Sequence, residues 1–248
     1  MSPRSLLLAP GLALALVFAA ACQTATRPPS HVEAALAKST ADMVVPKYLG
    51  PDSIDLRTLL PEPPAANSPY SDGEILIIRA AQSDASPESR ARAIAEDDMK
   101  VWLFAEILGP AFNAKDKPKT AAFIKQIERD SSVVTSAAKK IWNRPRPFVQ
   151  DPGLRPLTSD VPTSGSYPSG HTTRAAIWSE TLVLLAPEKA DAIRARARLI
   201  GFDRIILGVH FPSDVAAGNA LGKAIVEEMK KSGEFQKDLE DARGEWVK

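Results

Sequence analysis

Three short segments hold the residues whose types and spacing could do chemistry. In the first, Lys139-Lys140-Ile141-Trp142-Asn143-Arg144-Pro145-Arg146-Pro147, Arg146 lies seven positions after Lys139. Seven helical steps of ~100° return to nearly the same face, so two cations could face one anion, although Pro145 must loosen the end of that helix. The plainer alternative is a solvated basic helix end that complements the carboxyl-terminal dipole. In the second, Gly165-Ser166-Tyr167-Pro168-Ser169-Gly170-His171-Thr172, Ser169 stands where an N-cap would sit and Gly170 lets a ligand approach the backbone. The free N–H groups of a helix start make a site for phosphate there. His171 would project from that first turn, either toward the anion or as a structural or exposed histidine.

The third segment is Asp203-Arg204-Ile205-Ile206-Leu207-Gly208-Val209-His210-Phe211-Pro212-Ser213-Asp214. A helix beginning near Pro212 puts Asp214 in its first turn and His210 just before it, so the carboxylate would reach backwards as in a capping arrangement. A carboxylate bonded to one ring nitrogen fixes the tautomer and leaves the other nitrogen available for attack. The competing reading is that Asp214 only caps the helix and His210 packs against it.

Composition limits what else the chain could be. Its 248 residues carry 31 Lys and Arg against 30 Asp and Glu, with 3 His, 1 Cys and 21 Pro. Near-zero net charge without long runs of one sign argues against a nucleic-acid partner, which would call for a basic stripe. A single cysteine excludes an intrachain disulfide and any multi-cysteine metal site, and no Asp/His cluster has plausible metal-ligand spacing. Neither a metal nor another cofactor is expected.

These segments need helices to position them. Residues 1–21 read as an export signal: Arg4, an apolar stretch from Leu6 to Phe18, then Ala19-Ala20-Ala21 before Cys22. Cys22 is a candidate lipidation site, although Ala19 stands where lipoprotein signals prefer Leu. The expected location is the periplasm, either soluble or tethered by a lipidated amino terminus, with no spanning segment in the mature chain. Residues 22–69, which include His31, read as a Pro/Ala-rich linker and extended segment, and residues 70–248 as one helical domain. Ser86-Pro87-Glu88 opens a helix expected to run to Gly109-Pro110, and Asp116-Lys117-Pro118 opens one toward Trp142. Arg144 to Tyr167, with its prolines, reads as a long loop of the kind that is more often functional than not. Helical texture resumes over Gly170–Ala186, Pro187–Leu207, Pro212–Met229 and Glu234–Val247. With β-branched alternation nearly absent, the fold class is all-α, a single compact helical domain.

Lys139 with Arg146-Pro147, Pro168-Ser169-Gly170-His171, and Arg204 with His210 and Asp214 together resemble the three-part signature of the type 2 phosphatidic acid phosphatase superfamily. The stretches Trp142 to Phe148 and Gly165 to Thr172 look most like its secreted class A acid phosphatases, and Leu59 to Pro64 with Asp72 is similar to that class's amino-terminal region. The resemblance implies a metal-independent phosphomonoesterase in which His210 forms a phosphohistidine, Asp214 orients it, and His171 serves as acid and then base. It assigns Lys139, Arg146, Ser169, Gly170 and Arg204 to the phosphate. Phosphate or vanadate should inhibit, and homo-oligomers occur among relatives. One position departs from the pattern: Asp203 stands where Ser is usual, and its carboxylate could pair with Arg204. The alternatives are a vanadium-dependent haloperoxidase-like enzyme, a phosphatase preferring lipid phosphates, and a protein that only captures phosphate.

Overall fold

Proline and serine mark where the helices begin. In the computed structural model, residues 46–50 and 52–246 are described, so the expected signal, Cys22 and His31 lie outside the described residues. Helix α1 (Leu56–Leu59) is one turn capped by the Asp55 carboxylate. Helices α2 (Pro69–Asp84) and α3 (Pro87–Ala95) both start with proline behind a serine, Ser68 or Ser86, whose hydroxyl accepts an N–H from the first turn. After a 3-10 turn over Val101–Phe104 come α4 (Ala105–Leu108) and the long α5 (Pro118–Trp142), which ends at Asn143 in a left-handed conformation. A single turn, α6 (Pro147–Gln150), interrupts the proline-rich loop. Helix α7 (Gly170–Leu185) is capped by Ser169. A 3-10 turn over Pro187–Lys189 then leads to α8 (Ala190–Ile206), α9 (Pro212–Met229) and α10 (Gly233–Arg243). Among the described residues there is no strand, and the all-α class expected from the sequence is what forms.

One stretch differs from expectation. The helix opened by Ser86-Pro87 does not reach Gly109: it stops at Ala95, and residues 96–100 are irregular. Tertiary partners outweigh local propensity here, because Glu96 pairs with Arg196, and Asp97 with Arg204 and Thr158. Upstream of residue 70, Tyr48, Leu49 and Leu60 are already buried in the main core, and the backbone N–H groups of Lys47 and Tyr48 donate to Asp130 at 2.9 and 2.7 Å.

Helix α7 is the axis of the body. It is apolar nearly all round, with Ala175, Ala176, Ile177, Trp178, Leu182 and Leu185 buried, as befits a helix covered by neighbours. Helices α8 and α9 pack against it most extensively, while α5 and α10 cover other sides. The α7–α9 approach is close because α9 presents glycine. A Cβ added at Gly218 would lie 2.6 Å from the Ser169 carbonyl oxygen, and one at Gly222 2.5 Å from that of Thr173. The backbone at the start of α7 is thus pinned by α9. The loop from Arg144 to Tyr167 closes over this end of the bundle through Ser166 N–H to Arg144 (2.8 Å) and Leu157 N–H to Leu207 (3.0 Å).

Gly218→Ala should therefore destabilise the protein by roughly 1–3 kcal/mol, as overpacking against backbone does, and move the α7 cap. Gly73→Ala on α2, where a Cβ meets nothing within 4 Å, should cost nothing. Chemical denaturation checks the pair; equal midpoints for the two variants would contradict this packing.

Candidate active site

The turn between α8 and α9 sets the position of His210. Gly208 there has φ +72°, and a Cβ at that position would fall 2.7 Å from the Gln82 amide, so the tight return of the chain depends on glycine. Pro212 then starts α9, and Asp214 in its first turn accepts the Phe211 N–H at 2.8 Å, the backward reach expected from the sequence. The same Asp214 oxygen lies 3.4 Å from His210 Nδ1. On the other side of the ring, Arg146 Nη1 is 3.0 Å from Nε2. A guanidinium can only donate, so Nε2 must carry a lone pair, and the ring proton sits on Nδ1 toward Asp214.

Arg144 and Glu74 complete this corner. Arg144 Nη1 donates to the second Asp214 oxygen at 2.8 Å, its Nη2 to Glu74 at 2.9 Å, and its guanidinium lies 3.7 Å over the Phe211 ring. Glu74 in turn accepts the Ser213 N–H at 2.6 Å. Glu74, Arg144, Phe211 and Asp214 are all buried. Burial pushes the Asp214 carboxyl above its usual range, and Arg144 with the Phe211 N–H pulls it back.

The expected anion-binding cations come from three different elements. Lys139, in the last turn of α5, donates to the Gly165 carbonyl at 2.7 Å. Arg146 donates to the carbonyls of Ser164 (2.9 Å) and Val209 (2.8 Å). Arg204, in the last turn of α8, is almost wholly buried; it donates to Asp97 at 2.7 Å and to the Ala93 carbonyl at 3.2 Å, while its Nε has no partner among the described residues. Ser169 caps α7, accepting from the Thr172 N–H at 3.4 Å and donating its own N–H to the Asp214 carbonyl at 3.0 Å. A Cβ on Gly170 would come 3.6 Å from Lys139 Cε, which puts the lysine stem over the open face of this helix start.

His171, from the first turn of α7, keeps 30% of its side chain exposed, with Nε2 3.1 Å from the Asp97 carbonyl. A carbonyl only accepts, so Nε2 holds a hydrogen and Nδ1 is the nitrogen free to gain or lose a proton. Burial and then Arg204 push His171 down to about 4. His210 is held well below its ordinary value by burial and by Arg146, Lys139, His171 and Arg204. Burial and the Arg146 charge bring Lys139 down to about 8, and burial with Arg204 brings Arg146 down to about 10. The expected site residues therefore feel one another: they form a single basic pocket around a neutral imidazole, and a bound dianion would relieve its excess charge.

Asp203 does not pair with Arg204. It is buried and takes both Nε (3.1 Å) and Nη2 (2.8 Å) of Arg92. Arg204 finds its carboxylate in Asp97, which is held below its usual range because Thr158 and Arg204 outweigh its burial. Glu74, Arg92 and Asp97 carried no sequence signal of their own, whereas Arg144 lies inside the first segment and could have been suspected. Among the described residues, no three His, Cys, Asp or Glu side chains are grouped as metal ligands.

The model of the PAP2 superfamily matches residues 129–232, which include all eight expected catalytic and phosphate-binding positions. Over 217 residues the chain is 31% identical to a non-specific acid phosphatase of Salmonella typhimurium, covering 84% of this chain and 86% of that protein. A non-specific acid phosphatase of Providencia stuartii is 32% identical over 212 residues, 79% of this chain and 82% of that one. Among solved structures, a transmembrane PAP2-type phosphatidylglycerolphosphate phosphatase from Bacillus subtilis superposes with a TM-score of 0.50 at 23% identity, over 66% of this chain and 87% of that chain. That likeness is one of fold. No helix among the described residues is long and apolar enough to cross a membrane.

The lowered Lys139 sets a pH dependence for anion binding. Sulfate, whose own charge is constant above mild acid, should bind progressively more weakly as pH rises through about 8, because the lysine of the free protein loses its proton there. Calorimetric titration across that range checks it, and Lys139→Met should bind weakly throughout and lose this limb.

Proposed function

The chain belongs to the PAP2 superfamily, and on that premise we propose that it is a non-specific acid phosphatase that hydrolyses phosphomonoesters through a phosphohistidine. The observation that carries the reading is the His210 ring, with Nδ1 on Asp214 and Nε2 turned to Arg146 inside a pocket of cations. In the first step Nε2 attacks phosphorus and the bond to the ester oxygen breaks. The charge that His210 acquires is met by Asp214, and the leaving alkoxide takes a proton from His171. His171, now neutral, takes a proton from water; the water oxygen attacks phosphorus, the P–N bond breaks, and inorganic phosphate leaves. Lys139, Arg146 and Arg204, with the Ser169-Gly170 helix start, hold the non-bridging oxygens throughout. The unpartnered Arg204 Nε supports this, since a buried donor without an acceptor is costly until an oxygen arrives.

The amino-terminal residues support export: removal of residues 1–21 would deliver the enzyme to the periplasm, with Cys22 as the attachment point if it is lipidated.

Two substitutions separate the roles. His210→Ala should lower kcat by at least about 10³-fold on every phosphomonoester. His171→Ala should lower it by roughly 10²-fold or more on alkyl phosphates and far less on p-nitrophenyl phosphate, whose leaving group needs no proton. Full turnover in His210→Ala would end the assignment. The acid form of His171 is the working form in the first step, so turnover of alkyl phosphates, whose poor leaving group makes that step limiting, should fall as pH rises. A bound phosphoryl group raises His171 above its free value of about 4, so the basic limb of kcat should lie at higher pH than that of kcat/KM.

A further inference from the structure

The departure at Asp203 has a counterpart on another helix. Asp203 is wholly buried one residue before Arg204, a place where an uncompensated carboxylate would oppose an incoming phosphate. Arg92 of α3 meets it with both Nε and Nη2, one to each carboxylate oxygen. The next residue on each helix repeats the link, for Arg204 Nη2 donates to the Ala93 carbonyl. Four residues on, Asp97 receives Arg204 Nη1 and its carbonyl faces His171. The end of α3 and the residues after it thus hold Arg204 on two sides. Arg92 itself keeps 30% of its side chain exposed, so its charge costs less to keep there than that of the buried Asp203.

We propose that Arg92 is a positioning residue of the phosphate site that acts by its charge: it cancels the buried Asp203 carboxylate beside Arg204. This rests on the reading of the pocket as a phosphate site. Arg92 touches no substrate; it acts through Asp203. A carboxylate there is compatible with anion binding because its partner neutralises it.

A cycle of Arg92→Met, Asp203→Ser and the double variant tests this, read by KM and kcat on p-nitrophenyl phosphate, Ki for inorganic phosphate, and the thermal midpoint. Arg92→Met should raise KM and Ki about tenfold with kcat changed less than about threefold, since a buried carboxylate beside Arg204 is then left without its counter-charge. Asp203→Ser should change each by less than about threefold, and the double variant should recover KM and Ki to within about threefold of the parent even if its thermal midpoint stays low. Arg92→Lys, which keeps the charge, should also hold Ki near the parent value. Should Arg92→Met not fold, Arg92→Gln removes the same charge and takes its place in the cycle. An unchanged Ki in the neutral variant, or an equal rise in the single and double variants, would overturn the proposal and leave the pair a strap between helices. A parent that neither turns over phosphomonoesters nor binds phosphate would overturn the phosphatase reading as well, whereas an active parent with indifferent variants would sink this inference alone.

Discussion

One buried carboxylate, Asp214, joins the parts of this molecule that have to agree. Its side chain takes the Phe211 N–H that starts α9, lies against His210 Nδ1, and receives Arg144; its backbone carbonyl takes the Ser169 N–H that starts α7. The nucleophile candidate, the anion-binding helix start and the basic loop are thereby fixed relative to one another through a single residue. A charge so placed is tolerable because both carboxylate oxygens have donors, and removing one partner of such a buried pair costs about 3–5 kcal/mol. Glu74 extends the arrangement by holding Arg144 in turn.

The second constraint is an excess of positive charge. Lys139, Arg146 and Arg204 act on the same imidazole, and although Asp97 meets Arg204 and Asp214 pulls the other way, burial first and a neighbouring guanidinium next hold Lys139 and Arg146 below their ordinary values. A phosphoryl dianion would lower the repulsion, and by the same field it would raise His171 toward the protonated form that a general acid needs. On the proposed mechanism, binding and acid catalysis would be one electrostatic event, with the substrate itself switching on chemistry at the leaving group.

How much of this could be read from the chain alone depends on distance along it. The caps at Ser169 and Pro212, the backward reach of Asp214 and the convergence of Lys139 with Arg146 are local, written into segments of about a dozen residues, and they were legible. The serine before Pro69 is the same signal as the one before Pro87, and it starts α2 in the same way. The supports were not legible. Arg144 finds Glu74 across 70 residues, Arg204 finds Asp97 across 107, and Arg92 finds Asp203 across 111. No periodicity marks such partners, and they also explain why the helix begun at Pro87 breaks after Ala95. Asp203 invited a pairing with its neighbour in sequence, but adjacent side chains on a helix diverge, and its partner came from another helix.

The central claim is that His210 Nε2 receives the phosphoryl group while Nδ1 stays bonded to Asp214. Rapid acid-free quench of the enzyme with a phosphorus-labelled aryl phosphate, followed by peptide mapping and phosphorus NMR of the labelled peptide, tests it most directly. The account predicts an acid-labile, base-stable phosphate on His210, attached at Nε2 and formed and lost at rates that match turnover. A label on Nδ1 or on another residue, or steady turnover with no phosphoenzyme at any quench time under conditions where dephosphorylation limits the rate, would contradict it.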